Sequence, residues 1–422
     1  MYDESRPLQL GIVGCGGRGV GLGREIAAIR LGKVMAVCDP DEQRIRIARG
    51  HFGEARVAKD ACELAGWDDV EAIIVATPDD THVEIALALK PFGKHLLVEK
   101  PLAVSLADCD RLVCGFQDQT DIVQMVGLCM RYNNMMQRVH ELVASGTIGE
   151  VLTAHCIDNV SVGGNYYFHR WMSRKKHVVG LLVQKGVHSL DFISWVIGSR
   201  PVRVHSFGGL DYYGGEEPVD KVCSACDEFD DCTERMDRVV EYDYIKEKVR
   251  ASDLCAYSRE VDVCDNSVVN VLYESGAKVS YSEVHFTPDY VREFSFIGTK
   301  GRIYVCCPHG KTPELTLTLR HRPTKVIRET VEMGQGGHAG GDRAMLREFV
   351  DAINEKRRPL TDFVAGRECA AISLAAEESI ETGEVVDVHN VDGSKRNVAR
   401  HKGRSRNLSR KDLLNQAPRH LF

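Results

Sequence analysis

Residues 8–19 read Leu8-Gln9-Leu10-Gly11-Ile12-Val13-Gly14-Cys15-Gly16-Gly17-Arg18-Gly19. The run Leu8 to Val13 is short and apolar enough for a buried parallel strand, and a helix-compatible stretch through Glu25, Ile26, Ala27, Ala28 and Ile29 follows the glycines. In such a strand, turn and helix, Gly14 permits the tight reversal, Gly16 lets backbone approach a pyrophosphate, and Gly19 lets helix pack on strand. Free amides at the helix start then hold phosphates, with Cys15, Gly17 and Arg18 completing the turn. A second apolar strand, Val34 to Cys38, ends in Asp39, the expected distance on for a carboxylate that accepts both ribose hydroxyls. That acid would repel a 2′-phosphate, so the expected cofactor is NAD.

Working outward, 422 residues accommodate two ordinary domains, and 43% hydrophobic with 27% charged residues is the composition of a soluble globular chain. No apolar run approaches the ~20 residues of a membrane span, and Met1 to Pro7 is polar rather than signal-like, so a cytoplasmic protein without a membrane partner is expected. The 15 cysteines are an odd number, which rules out complete pairing within one chain. A formal charge of −7 gives no reason to expect nucleic acid.

After Asp39 the pattern keeps alternating. Helices are expected over Asp41 to Phe52, Cys62 to Ala65, His82 to Phe92 and Ser105 to Gln117, and strands near Val57, over Ala72 to Ala76, His95 to Val98 and Ile122 to Leu128. This predicts a doubly wound α/β Rossmann domain over residues 1–130. From Val151 the segments become β-rich, at Val268 to Tyr273, Ala277 to Val284, Arg292 to Ile297 and Leu315 to Leu319. They predict an α+β domain over 131–390, built on a large, mostly antiparallel open sheet, with a cysteine-rich insertion near 211–265. A basic tail, 391–422, closes the chain. It reads as a solvated run or an arm that docks on an acidic neighbouring subunit.

The glycine turn, Asp39, Ala76-Thr77-Pro78, Thr81-His82, Glu99-Lys100-Pro101, the helix with His188 and Asp191, and Gly298-Thr299-Lys300-Gly301 together resemble the Gfo/Idh/MocA oxidoreductases. The resemblance implies that Thr77, Pro78, His82 and Glu99 border the cofactor. It places Lys100 between nicotinamide and a substrate hydroxyl, and makes His188 the proton-transfer residue. It also implies a homo-oligomer, a dimer or tetramer, paired through the open face of the sheet. If residues 184–191 enter a helix, Gln184, Lys185, His188 and Asp191 share a face, away from an apolar stripe of Leu190, Ile193 and Ile197. A neutral His188 can take the hydroxyl proton, and Asp191 can orient its ring or pair with Lys185. Gln184 stands where the family usually has aspartate, and Lys185 adds a cation suited to a substrate carboxylate or an enolate. His338, within Gly336 to Asp342, reads either as a pocket-bordering substrate residue or as part of a loop in which Asp342 caps a helix.

Cys223, Cys226 and Cys232, with Cys255 beyond, have the spacing of a tetrahedral structural zinc site; an iron–sulfur cluster or free thiols are the competing readings. Three functions remain open on these residues. The leading one is an NAD-dependent oxidoreductase acting on a secondary alcohol of a sugar, sugar derivative or cyclitol, with Lys100, His188 and Lys185 as its catalytic groups. The others are glycoside cleavage by transient oxidation and elimination, and an NAD-bound sensor without catalysis.

Overall fold

The computed structural model describes residues 6–161, 164–235 and 253–389. The expected basic tail and the middle of the cysteine insertion lie outside the described residues. Six strands form the first sheet: β1 (Leu8–Val13), β2 (Gly32–Cys38), β3 (Arg56–Val57), β4 (Ala72–Val75), β5 (His95–Val98) and β6 (Gln124–Val126). They lie in the order β3-β2-β1-β4-β5-β6, all parallel, as the alternation with helices requires. The crossovers are α1 (Gly17–Ala28), α2 (Glu42–Phe52), α3 (Ala61–Ala65), α4 (His82–Leu89) and α5 (Leu106–Phe116). Asp41, Asp60 and Ser105 each place a side-chain oxygen on the first free amides of α2, α3 and α5, which fixes where those helices begin. The sixth strand is shorter than expected: after Val126 the chain turns into a tight helical turn at Cys129–Tyr132.

The second sheet has nine strands: β7 (Val151–Val160), β8 (Pro201–Gly209), β9 (Asn266–Tyr273), β10 (Lys278–Val284), β11 (Tyr290–Gly298), β12 (Gly301–Pro308), β13 (Glu314–Leu319), β14 (Val326–Glu329) and β15 (Val386–Asp387). Their order is β14-β13-β12-β11-β7-β10-β9-β8-β15, and every pair is antiparallel except β7 with β10. Around it lie α6 (Asn134–Ala144), the short α7 (Lys175–Val178), α8 (Val187–Ile197), α9 (Gly341–Glu355) and α10 (Phe363–Thr382). Alternate residues of the central strands turn inward onto α6, α8 and α10, with Phe192, Phe294 and Phe296 at the centre of that core. The opposite face leaves Leu152, Ile157, Phe207 and Val268 exposed.

The nucleotide domain is not complete at residue 130. Met345, Leu346, Phe349 and Val350 of α9 pack against Leu8, Leu10, Leu22 and Ile26. Phe363, Cys369 and Ala370 of α10 join the core on the sheet's other side with Val98, Leu112 and Val126. Sequence order hid this, because these helices follow eight of the nine strands of the second sheet.

Where β1 meets α1, a Cβ built on Gly19 would lie 2.0 Å from the Gly14 carbonyl oxygen. Gly19→Ala therefore forces the turn from the helix. The expected loss is about 1–3 kcal/mol by urea denaturation, together with weakened NAD binding, and equal stability and affinity would contradict the packing role.

Candidate active site

The nucleotide half is built from backbone. Gly14 has φ 95° and faces the Ala76 carbonyl so closely that a Cβ would come within 2.4 Å of its oxygen. Gly16 precedes α1 in extended conformation, without a side-chain cap, and the space before it is empty for 4 Å. Uncapped first-turn amides beside an open cradle fit a pyrophosphate. Asp39 accepts from the amides of Cys15 (2.8 Å) and Asp41 (2.9 Å), which fixes its carboxylate at the end of β2. Cys15 is a packing residue, its thiol pushed up to about 12 by burial and by Asp39.

Other expected cofactor residues are occupied with one another. Arg18 donates to Glu99 (2.6 Å) and, through both terminal nitrogens, to Asp342 (2.7 and 2.9 Å). Thr77 accepts from the Thr81 hydroxyl at 2.7 Å, and Pro78 begins the turn into α4. His82 is fully buried, with its ring nitrogens on the carbonyls of Pro101 (2.8 Å) and Thr77 (3.0 Å). It ties the Thr77 turn to the Lys100–Pro101 peptide, which is cis.

Lys100 follows β5 and donates through Nζ to the main-chain carbonyl of Gln184. Burial lowers its pKa, and Asp79 and Glu99 oppose that shift. Asp79, buried beside it, is itself pushed up to about 7 by burial, against the pull of Lys100. The chain approaches α8 through a wide π turn, Leu182–Gly186, so the expected regular helix starts only at Val187. That turn aims the Gln184 carbonyl at Lys100, while the Gln184 side-chain oxygen is buried without a partner. His188 is 6% exposed, and its Nδ1 has no hydrogen-bond partner among the described residues. Burial, then Lys100, His338, Arg292 and Lys185, hold the imidazole well below 6.5 and so neutral.

Two expected pairings are replaced by others. Asp191 bonds neither His188 nor Lys185 but takes both nitrogens of Arg131, at 2.8 and 2.6 Å. Lys185 instead reaches Asp158 on β7, at 2.8 Å. Asp158 is fully buried, and its Oδ2 also accepts from Ser189 (2.9 Å), Arg292 Nε (3.0 Å) and Tyr281 (3.3 Å). Burial alone would raise this acid, but Arg292 and Lys185 outweigh it and hold the carboxyl well below the usual range. Glu377 on α10 accepts from the Leu182 amide at 3.0 Å, pushed up to about 8 by burial. A Cβ on Gly180 would sit 1.9 Å from Glu377 Oε1, so glycine is what lets the turn close on this acid.

His338 and Asp342 form a unit. The His338 Nδ1 lies 3.0 Å from both Asp342 oxygens, and the Asp342 charge pushes the imidazole up to about 10. Asp342 is thus not the helix cap expected from sequence; that place belongs to Gly340. The His338 ring stands 5.9 Å from that of His188, and single ligating atoms of Cys129, His188 and His338 lie within 4.8 Å of one another. Cys129, Arg131, Asp158, Arg292 and Glu377 were missed by the sequence reading. Cys129 and Arg131 carried one usable signal, their place just after the carboxyl end of β6.

The four cysteines of the insertion meet at one cavity of about 360 Å³, which His169, Phe229 and Tyr257 also line. An antiparallel bridge, Val222 to Leu254, sets Cys223 opposite Asp253 and Cys255 opposite Lys221, and the Cys226 amide turns back to the Cys223 carbonyl at 3.2 Å. The sulfurs themselves are not gathered: among the described residues, the group of three ligating atoms within 4.8 Å is Cys129, His188 and His338.

Comparison with known proteins agrees with this anatomy. Residues 8–127 match the family model "Oxidoreductase family, NAD-binding Rossmann fold", and 140–388 its companion, "Oxidoreductase family, C-terminal alpha/beta domain". The oxidoreductase YteT of Bacillus subtilis is 26% identical over 386 residues, 82% of this chain and 88% of that protein. An inositol 2-dehydrogenase of Pseudomonas fluorescens is 34% identical over 200 residues, 47% of this chain and 56% of its own length, so the match spans about half of that enzyme. Levoglucosan dehydrogenase solved with NADH and L-sorbose superposes with TM-score 0.74 at 20% identity, covering 91% of this chain and all of that one. An oxidoreductase domain protein of Kribbella flavida gives 0.74 at 20%, over 90% and 99%. At these identities the two structures speak for the fold alone.

The His338 pair sets a pH dependence. An imidazole raised from about 6.5 to about 10 stabilises the fold in full below pH 6.5, and that contribution is lost as pH rises through 10. The stability gap between the native chain and His338→Gln, read by urea denaturation, should close over that window; a constant gap would contradict the pair.

Proposed function

Because the chain belongs to the Gfo/Idh/MocA oxidoreductase family, we propose that it oxidises a secondary alcohol of a sugar, sugar derivative or cyclitol, with NAD as hydride acceptor. The observation that carries this is the buried, unpartnered Nδ1 of a neutral His188, in the cluster that also feels the Lys100 charge. Buried polar atoms are nearly always bonded, so such a nitrogen is a place for a substrate hydroxyl. NAD, when bound, supplies the electron-pair acceptor. Asp39 and the Gly14 to Gly19 turn hold it. His188 takes the hydroxyl proton, and Lys100 stabilises negative charge on that oxygen as the C–H bond breaks. Gln184 places Lys100 through its carbonyl. Lys185 is a positioning residue rather than a proton carrier, because its ammonium is committed to Asp158.

The elimination reading needs a further acid–base group, and with Lys185 engaged only His338 could serve. A sensor without chemistry has no use for a desolvated base beside Lys100. Inositol 2-dehydrogenases among the relatives support a polyol or sugar substrate. For assembly, we propose pairing of two copies through the sheet face that exposes Leu152, Ile157, Phe207 and Val268.

For the cysteine cavity we propose one structural zinc ion on Cys223, Cys226, Cys232 and Cys255. Four soft thiolates suit zinc, and the bridge from Val222 to Leu254 already brings the two segments that carry Cys223 and Cys255 together. The thiols must draw inward around the ion. Metal analysis of protein purified without chelator should give one zinc per chain, falling in Cys226→Ala; iron with visible absorption, or no metal, would reject it.

Replacing His188 by alanine should lower kcat by about 10²–10⁴ with the NAD dissociation constant unchanged. Equal turnover in that variant would refute the assignment of the base.

A further inference from the structure

We infer that the substrate of this site carries a carboxylate, received by the guanidinium edge of Arg292 with His338 beside it. The inference rests on the dehydrogenase reading and adds to it the chemical class of the substrate.

The first support is an imbalance of charge. Lys100, Lys185, Arg292 and His338 all act on His188 with the same sign. The acids near them are shared. Asp158 is divided between Lys185 and Arg292, and Asp342 between His338 and Arg18. Glu99 is also held by Arg18. Asp191 is matched by Arg131, and Glu283, which accepts from Tyr281 (2.5 Å) and lies 2.8 Å from His285, offsets only one of these charges. Asp79, the remaining acid beside Lys100, is pushed up to about 7 by burial and supplies only part of a charge at neutral pH. A neutral sugar would leave this positive excess in place on closing the pocket, whereas an anionic one would neutralise it.

Geometry provides the second support. Arg292 leaves β11 and uses Nε on Asp158, so its plane is fixed. Its Nη1 donates to the Met130 sulfur, a weak acceptor, and Nη2 has no hydrogen bond among the described residues. The side chain is 17% exposed, so this outer edge is open to a ligand. Two parallel N–H groups on a rigid plane match the two oxygens of a carboxylate. Arg292 and His338 both act electrostatically on His188, whose ring stands 5.9 Å from that of His338, so both cations belong to the surroundings of the proton acceptor. His338, with Nδ1 on Asp342, is 45% exposed and can add a second cation on that side.

The test uses the full-length protein loaded with NADH and matched ligand pairs, glucose with glucuronate, galactose with galacturonate, and sorbitol with gluconate. Binding by calorimetry should favour at least one acid over its neutral partner by about 10- to 100-fold, and kcat/KM in the NAD-linked oxidation should show the same preference. Arg292→Gln should shrink that ratio mainly through KM, and Arg292→Lys should recover only part of it. Neutral partners binding as well as every acid, or a ratio indifferent to Arg292→Gln, would overturn the inference. NADH formed from neutral sugars alone would overturn it while leaving the dehydrogenase reading standing. Acids that bind selectively without oxidation would support it and reject that reading instead.

Discussion

One carboxylate, Asp158, holds the substrate side together. Its Oδ2 is the common acceptor for Lys185, Ser189, Tyr281 and Arg292, which come from the approach to α8, from α8 itself and from two further strands. Buried charge is tolerated only where opposite charge and hydrogen bonds meet it, so this cluster forms as a whole or leaves two cations bare inside the protein. Its consequence for chemistry is positional. The π turn that carries Gln184 and Lys185 is pinned at one end by Asp158 and at the other by Glu377 on the Leu182 amide. Between those anchors, the Gln184 carbonyl meets Lys100 and His188 enters the pocket with one nitrogen unspent.

A second junction joins the two halves of the molecule. Arg18, inside the glycine turn that opens α1, grips the same Asp342 that charges His338. The loop between them is further tied to α1, through Glu25 with Arg343 (2.5 Å) and with the Gly337 amide (3.2 Å). His338 and Ala339 both sit at φ just above 50°, a conformation that costs a non-glycine residue energy and persists where the surroundings impose it. Asn133, which donates to the His338 carbonyl at 3.1 Å, is part of that imposition.

How far the sequence could be read follows from how local each device is. The strand, glycine turn, helix and Asp39 lie within about thirty residues and obey a spacing set by backbone geometry, so they were legible, as was Lys100 at a strand end. The His188 face was legible as a period of three and four, although the π turn shifted the helix start. Pairings were not legible. Asp191 with Arg131 spans 60 positions, Lys185 with Asp158 spans 27, and Arg292 with Asp158 spans 134. Asp158 and Arg292 occupy strand positions that alternation alone would turn either way. The cysteines were read as one cluster from spacing, and they do share a cavity, but spacing says nothing of how closely their sulfurs approach.

The return of α9 and α10 to the first sheet reverses the usual relation between order of synthesis and order of completion. Leu8, Leu10, Leu22 and Ile26 are made long before the side chains that cover them, Met345 to Val350, which emerge after eight of the nine strands of the second sheet. The first sheet therefore keeps an apolar flank uncovered until that later stretch is made. What closes it is the same stretch of chain that delivers His338 and Asp342, so a nascent chain finishes its nucleotide fold and its pocket wall in one late event.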